Sequence, residues 1–525
     1  MTPMRKLTRF FFVLSVLTAT PFIRANEKPN VLFLVVDDLK PLLGCYGDDT
    51  VHTPNIDRLA ASGITFTNAH TNQAVCGPSR CSFFTSLRPD RTGVHDLNTD
   101  FLGVSPWAVT LPEHFIANGY ATAGAGKLFH GGKSDGIMEK RAWQTHTDDE
   151  NLPFVGDFPP PALFYQGKEQ QDALKSAPTQ GGKPLTYGKI KQLLKSKELS
   201  PSTEMLDIPD EAYTDGALRV EALKYLDQLG KGEQPFFVAV GFRKPHLPFV
   251  APKKYWDLYD RAKLPLANFK NPPSGAPQFA LHSWGELRNY SDISSEGPLP
   301  EEKQRELVHG YRACVSYIDA QIGLLLDGLR ERDLEKNTIV VLFGDHGWHL
   351  GDHGLWCKHS NYEQATRTPL IFSGPGITPG TETHSPTELI DVYPSLCELT
   401  GTPAPENVDG ISLVSLFSNP DQPIREVAVS TYPRHSDRMG FAFRGERFRY
   451  VVWVKNEDLS SPLEKLGKIE AEELYDYKTD PAETTNLAGE AGHAERITSF
   501  RQIARRHLRK QTERIQRHKD AIQNG

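Results

Sequence analysis

Cysteine is scarce in this 525-residue chain: six residues, at positions 45, 76, 81, 314, 357 and 397. No two are spaced like zinc ligands, and thiols this few and scattered exclude a scaffold built on disulfides. Excess positive charge is also missing. Lys and Arg number 59 against 66 Asp and Glu, a formal net charge of −7. That argues against a nucleic-acid binder, because a phosphate backbone calls for a basic surface. It leaves a small anionic substrate open, since a few local cations can serve one anion. Long apolar runs are absent too. The run Phe10 to Leu17 is well short of the roughly 20 residues a spanning helix needs, so no membrane anchor is expected. The sequence has no internal repeat.

The N-terminus is informative. Arg5, Lys6 and Arg9 precede the Phe10–Leu17 run, and small and turn residues follow up to Ala25. This is the layout of a secretory signal peptide over residues 1–25, and it predicts export to the periplasm or outside the cell.

Four short apolar runs end in polar or glycine-rich turns. Asn30 to Val36 leads into Asp37-Asp38, Tyr120 to Ala125 into Gly126-Lys127, Phe236 to Phe242 into Arg243-Lys244-Pro245-His246, and Thr338 to Phe343 into Gly344-Asp345-His346. Continuous apolar strands are buried on both faces, so they predict a parallel sheet covered by helices. Tyr311, Val315, Ile318, Ile322, Leu325, Leu326 and Leu329 recur at helical spacing and form a core-facing stripe. Ligand sites in such sheets gather at the carboxyl ends of the strands, which places the four polar turns at one rim. The segment 150–205 reads as an irregular surface insertion, 272–300 as a long loop with His282, Trp284 and Arg288, and 401–424 as a linker. Beyond it, Phe441 to Val454 reads as a strand pair and Ala494 to Asp520 as a long helix, whose basic face would attract a polyanionic glycan or simply be solvated.

Asp37, Asp38 and Asp345 would crowd like charges together, which calls for protons or a cation, and hard oxygen ligands suit calcium or magnesium. Taken singly, an Asp pair after a strand reads equally as a turn and helix cap. The segment Cys76-Gly77-Pro78-Ser79-Arg80 changes the balance. With it the chain resembles the sulfatases, whose Cys-x-Pro-Ser-Arg signature directs oxidation of the cysteine to formylglycine. Other pieces of that pattern occur in order: Asp37-Asp38, Gly126-Lys127 with His130, Lys244-Pro245-His246, Asp345-His346-Gly347, Lys358, Asp391-Val392-Tyr393-Pro394 and Asp409-Gly410-Ile411-Ser412-Leu413. The likeness runs from about residue 28 to about 490. Lys127-Leu128-Phe129-His130, the run Val240 to His246 and the run Trp348 to Gly354 are similar to the iduronate-2-sulfatase branch.

The resemblance implies an alkaline-phosphatase/sulfatase-like α/β sandwich: a large, mostly parallel sheet between helices over residues 26–424, and a smaller subdomain over 425–525 with an antiparallel sheet and a helix. It implies one calcium ion held by Asp37, Asp38, Asp345, His346 and residue 76. The hydrated aldehyde made from Cys76 would carry two hydroxyls, one to attack sulfur and one to expel sulfate. Lys127 and Lys358 would offset charge on the sulfate oxygens, and Arg80 would support the formylglycine. His246 would protonate the departing sugar oxygen and His130 would take the second proton. Lysines and single histidines are otherwise ordinary solvated or structural residues.

Trp348, His349 and Trp356 read as a sugar-facing wall or as buried packing, and Arg434 as a partner for a uronate carboxylate. The implied substrate is the 2-O-sulfate of a uronic acid in a sulfated oligosaccharide or polysaccharide, and the implied partner a formylglycine-generating maturation enzyme. A phosphodiesterase or phosphonate hydrolase on the same fold and an inactive glycan-binding relative are the alternatives. One departure stands out: the family's Thr-Gly-Arg or Thr-Gly-Leu after the signature is Thr85-Ser86-Leu87 here.

Overall fold

The computed structural model describes residues 28–130, 132–148, 152, 165–177, 187–435, 437–455 and 468–524. The expected signal peptide, 1–25, lies outside them. An eight-stranded sheet is built from β1 (Asn30–Val36), β2 (Gly63–Phe66), β3 (Ala121–Gly126), β4 (Thr145–Thr147), β5 (Phe236–Phe242), β6 (Thr338–Gly344), β7 (Leu370–Ser373) and β8 (Thr381–Thr383). Their order across the sheet is β8-β2-β7-β6-β1-β5-β3-β4. Only β7 runs against the others. The strand β1 shows why its sequence is apolar at every position. Leu32, Leu34 and Val36 enter one core, while Val31, Phe33 and Val35 enter the core on the opposite face.

The helices used below are α1 (Pro54–Ala61), α2 (Cys76–Thr85), α3 (Thr214–Leu229), α4 (Glu301–Glu331) and α5 (Ala494–Asn524). The expected stripe lies on α4, with Tyr311, Val315, Ile318, Ile322, Leu325 and Leu329 buried and Leu326 partly buried. A second, antiparallel sheet follows in chain order: β9 (Ala428–Arg434), β10 (Arg438–Arg444), β11 (Phe448–Lys455) and β12 (Lys468–Asp476). Phe441, Phe443, Tyr450 and Val452 on one face pack with Ile497, Phe500, Ile503 and Leu508 of α5. Val451, Trp453 and Tyr475 join the main core from the other face.

Two sequence readings need correction. The described part of 150–205 is not irregular: it holds helices Lys168–Lys175 and Tyr187–Ser196, and strand Thr203–Leu206 pairs with Phe249–Pro252. Ala173 and Leu194 anchor the two helices in the core. The segment 401–424 is not a linker either, because Leu413, Leu416 and Phe417 are buried in the core and Asp409 pairs with Arg91 and Arg514.

Candidate active site

The four central strands β6, β1, β5 and β3 are neighbours, so their carboxyl ends form one rim. The ladder continues a step past the strands: Asp37 N donates to Phe242 O (3.0 Å), Lys127 N to Gly241 O (3.0 Å) and Asp345 N to Val36 O (3.1 Å). These bonds bring four sequence-distant segments into register. Gly241 is needed there, since a Cβ on it would lie 1.9 Å from Lys127 O.

Cys76 begins α2, whose residues are all buried, and so faces the rim from the positive end of a helix. Pro78 stands in the first turn, where an N–H has no helical partner and its loss costs little. Ser79 Oγ donates to Asp345 O at 2.5 Å, which ties the helix to the end of β6. Gly77 packs against the backbone of His130, for a Cβ there would lie 2.9 Å from His130 O.

Arg80 is fully buried and its guanidinium organises the rim. Nε donates to Asp345 Oδ2 at 3.0 Å, Nη2 to Asp37 Oδ1 at 3.2 Å, and Nη1 to the carbonyls of Lys127 and Leu128. Lys127 Nζ bonds Asp37 Oδ2 at 2.6 Å, and Lys358 Nζ bonds Asp38 Oδ1 at 2.9 Å. Burial pushes Asp37 up, but Lys127 and Arg80 hold it well below the usual carboxylate range. Burial carries Asp38 well above that range, with Asp37 adding to the shift against Lys358. Burial and Asp37 push the Cys76 thiol up to about 12.

Ligand atoms of Asp37, Asp38, Cys76 and His346 all lie within 4.8 Å of one another, and every one of these residues is buried. His346 Nδ1 faces Gly347 O at 3.0 Å. A carbonyl only accepts, so the proton belongs on Nδ1 and the Nε2 lone pair points into the cluster. Two buried carboxylates with a correctly oriented imidazole fit a divalent cation. Asp345 stands beside this tight group: its Oδ1 accepts from Asp38 N (3.0 Å) and lies 3.6 Å from His346 Nε2.

His246 follows β5, with Nδ1 on Leu247 O at 2.6 Å and Nε2 3.9 Å from Asp38 Oδ2. Burial and Lys358 push it down to about 4, against the pull of Glu286. His130 is pushed down to about 3 by burial, Lys127 and Arg80, and its Nδ1 has no hydrogen-bond partner among the described residues.

The three residues expected to form a sugar-facing wall are buried. Trp348 is fully buried, packed edge-on against Phe249 with Lys358 Nζ 5.0 Å from its ring centroid. His349 is fully buried, with Nε2 on Ser360 Oγ at 2.9 Å. Trp356 is buried as well. None of the three presents a face to solvent, as the packing alternative expects. Arg434 donates to the carbonyls of Phe279 (2.8 Å), Ala280 (2.7 Å) and His359 (2.6 Å). Its fork is committed to holding loops and is not presented to a uronate.

One residue escaped sequence reasoning. Glu286, from the 272–300 loop, reaches His246, Lys358 and His359. No local pattern marks it.

Residues 29–402 match the family model described as Sulfatase, and residues 351–511 match that described as N-sulphoglucosamine sulphohydrolase, C-terminal. The chain is 34% identical to the iduronate 2-sulfatase of Mus musculus, covering 91% of this chain and 94% of that protein. Among solved structures, a complex with its substrate D-glucosamine-2-N,6-O-disulfate superposes with a TM-score of 0.69 at 21% identity, covering 93% of this chain and 98% of that one. The phosphonate monoester hydrolase from Silicibacter pomeroyi superposes with a TM-score of 0.68 at 21% identity, covering 92% and 95%. At such identities these two structures share the fold and carry no argument about substrate.

Proposed function

Because this chain belongs to the sulfatase family of sulfuric ester hydrolases, we propose that it removes the 2-O-sulfate of a uronic acid in a sulfated glycan, using residue 76 as nucleophile after its conversion to formylglycine. The observation that carries the reading is the tight cluster of Asp37, Asp38, Cys76 and His346, flanked by Lys127 and Lys358. The likeness to iduronate 2-sulfatase supports the sugar class.

Asp37, Asp38 and His346, with Asp345 beside them, would hold a calcium ion, which when bound lowers the pKa of a coordinated hydroxyl and holds a sulfate oxygen. Conversion of Cys76 to the hydrated aldehyde supplies a hydroxyl where a deeply buried thiol stands. The chain's own residues do the rest. Lys127 and Lys358 bring two ammonium groups to the cluster, one on Asp37 and one on Asp38, and offset charge gathering on the sulfate oxygens. Arg80 fixes the directions of Asp37 and Asp345 and the backbone of Lys127. His246 Nε2 gives a proton to the sugar oxygen as its bond to sulfur breaks, and His130 takes the proton of the second hydroxyl on converted residue 76. Their low basicity, about 4 and about 3, belongs to the site before substrate; an arriving sulfate anion shifts both upward.

The N-terminal segment supports export, and the buried Cys76 supports conversion by a maturation enzyme before folding closes over it. No helix among the described residues is long and apolar enough to cross a membrane.

Mass spectrometry of the peptide containing residue 76, after co-expression with a maturation enzyme, should show an aldehyde in place of the thiol. The purified protein should then turn over a 2-O-sulfated uronate disaccharide and lose that activity to a chelator. Active protein with only unmodified Cys76, or faster turnover of a phosphodiester or phosphonate monoester than of any sulfate ester, would overturn the reading.

A further inference from the structure

The mouth of the site holds a carboxylate that none of these roles uses. Glu286 Oε1 lies 3.0 Å from His246 Nε2 and 3.2 Å from Lys358 Nζ, and Oε2 lies 3.3 Å from His359 Nε2. One side chain thus joins the turn after β5 to the loop carrying Lys358.

The loop that presents Glu286 is braced. Arg288 donates to Ser283 O (3.3 Å), Ser294 O (2.6 Å) and Gly297 O (2.8 Å), and its guanidinium stacks 3.5 Å from the Trp284 ring centroid. Arg434 ties Phe279 and Ala280 of the same loop to β9. A functional group held from such a support is pre-organised.

His246 needs that support. Its Nδ1 bonds the carbonyl of Leu247, the next residue in the chain, so this contact moves with the turn and gives little independent restraint. The contact of Nε2 with Glu286 comes from a different segment and fixes the far edge of the ring. We propose that Glu286 is a positioning residue: in the resting site it accepts from His246 Nε2 and holds the imidazole beside Lys358, and the leaving sugar oxygen takes the place of Oε1 at that N–H, so that Glu286 serves proton delivery in the hydrolysis proposed above. In that step sulfur bonds to the ionised hydroxyl oxygen of converted residue 76 as the S–O bond to the sugar breaks; the electron pair of the broken bond stays on the sugar oxygen, and the proton on Nε2 passes to that oxygen.

A sugar alkoxide needs the proton, whereas a nitrophenolate leaves without one, so two sulfate esters separate this role from a general structural one. Against a 2-O-sulfated uronate disaccharide, Glu286→Ala is expected to lower kcat about 10- to 100-fold with little change in KM, in line with losing the partner that orients a functional histidine. Against 4-nitrophenyl sulfate the loss should be only a few-fold. Glu286→Gln keeps an oxygen toward Nε2 and should recover part of kcat on the disaccharide. In a His246→Ala background, Glu286→Ala should add no more than about a twofold further loss. Equal losses on both esters, or fully additive losses in the double variant, would overturn the role of Glu286 while leaving the sulfatase reading intact. Wild-type protein that turns over neither ester would overturn that reading, and the role with it.

Discussion

Replacing Arg80 by lysine keeps the charge and removes the fork, so it separates electrostatics from geometry at the rim. In the wild type, Asp345 and Asp37 are met by different nitrogens, Nε and Nη2, while Nη1 serves the Lys127 and Leu128 carbonyls. A lysine ammonium is one atom and cannot reach both carboxylates and both carbonyls. At least one buried carboxylate bond and one carbonyl bond are lost. A hydrogen bond to a charged group contributes ~1.5–3 kcal/mol and an orphaned buried acceptor costs ~1–3 kcal/mol, so Arg80→Lys should destabilise by about 3–4 kcal/mol. A chain of 525 residues is apt to unfold irreversibly, so the suitable assay is the rate of unfolding at fixed temperature. If most of that energy falls on the unfolding barrier, the rate should rise roughly 100-fold. An unfolding rate within about threefold of wild type would refute the reasoning, because it would mean that the charge alone holds the rim together.

Two further outcomes are expected from groups outside the rim. Ser86 caps α2 at φ 56°, ψ 31°, a conformation that costs a non-glycine residue ~1–2 kcal/mol. Its Oγ donates to Ile390 O at 2.7 Å and accepts from Gly410 N at 3.2 Å. Ser86→Ala keeps the strain and loses both bonds, about 2 kcal/mol, whereas Ser86→Gly regains part by relaxing the backbone. Melting temperatures should therefore fall in the order wild type, Ser86→Gly, Ser86→Ala; alanine above glycine would contradict the strain. Asp319 of α4 accepts from Asn55 N (3.0 Å) and Ile56 N (2.8 Å) at the start of α1, and burial pushes it from 3.8 to about 6. The native state then holds this proton more tightly than the unfolded chain, so its contribution is greatest below pH 3.8 and is lost as pH rises through about 6. Asp319→Asn should flatten the fall in melting temperature between about pH 4 and 6, where this group accounts for ~3 kcal/mol; an unchanged profile would count against the shift.

Much of the architecture was legible because it rests on local patterns. The runs Asn30–Val36 and Phe236–Phe242 match strands residue for residue, since a strand covered on both faces must be apolar at every position. The α4 stripe follows from the helical period alone. The rim residues could be grouped because a parallel sheet places all its polar strand ends on one side.

What the sequence could not show depends on who meets whom across long separations. Glu286 lies in a Pro/Gly/Ser-rich stretch without periodicity, and its partners are 40 residues before it and 72 and 73 after it. Arg434 and Trp348 carry groups well suited to a sugar acid, yet the same groups serve equally well inside, satisfying carbonyls and filling the core. The turn-rich segment 401–424 looked like a linker because proline and glycine report on backbone bends and say nothing of burial. Composition and period thus determined the sheet, the main helix and the gathering of polar strand ends at one edge. Only the packing of distant segments decided which charged side chains face the reaction and which are spent holding loops in place, because burial and partner choice are properties of the assembled chain.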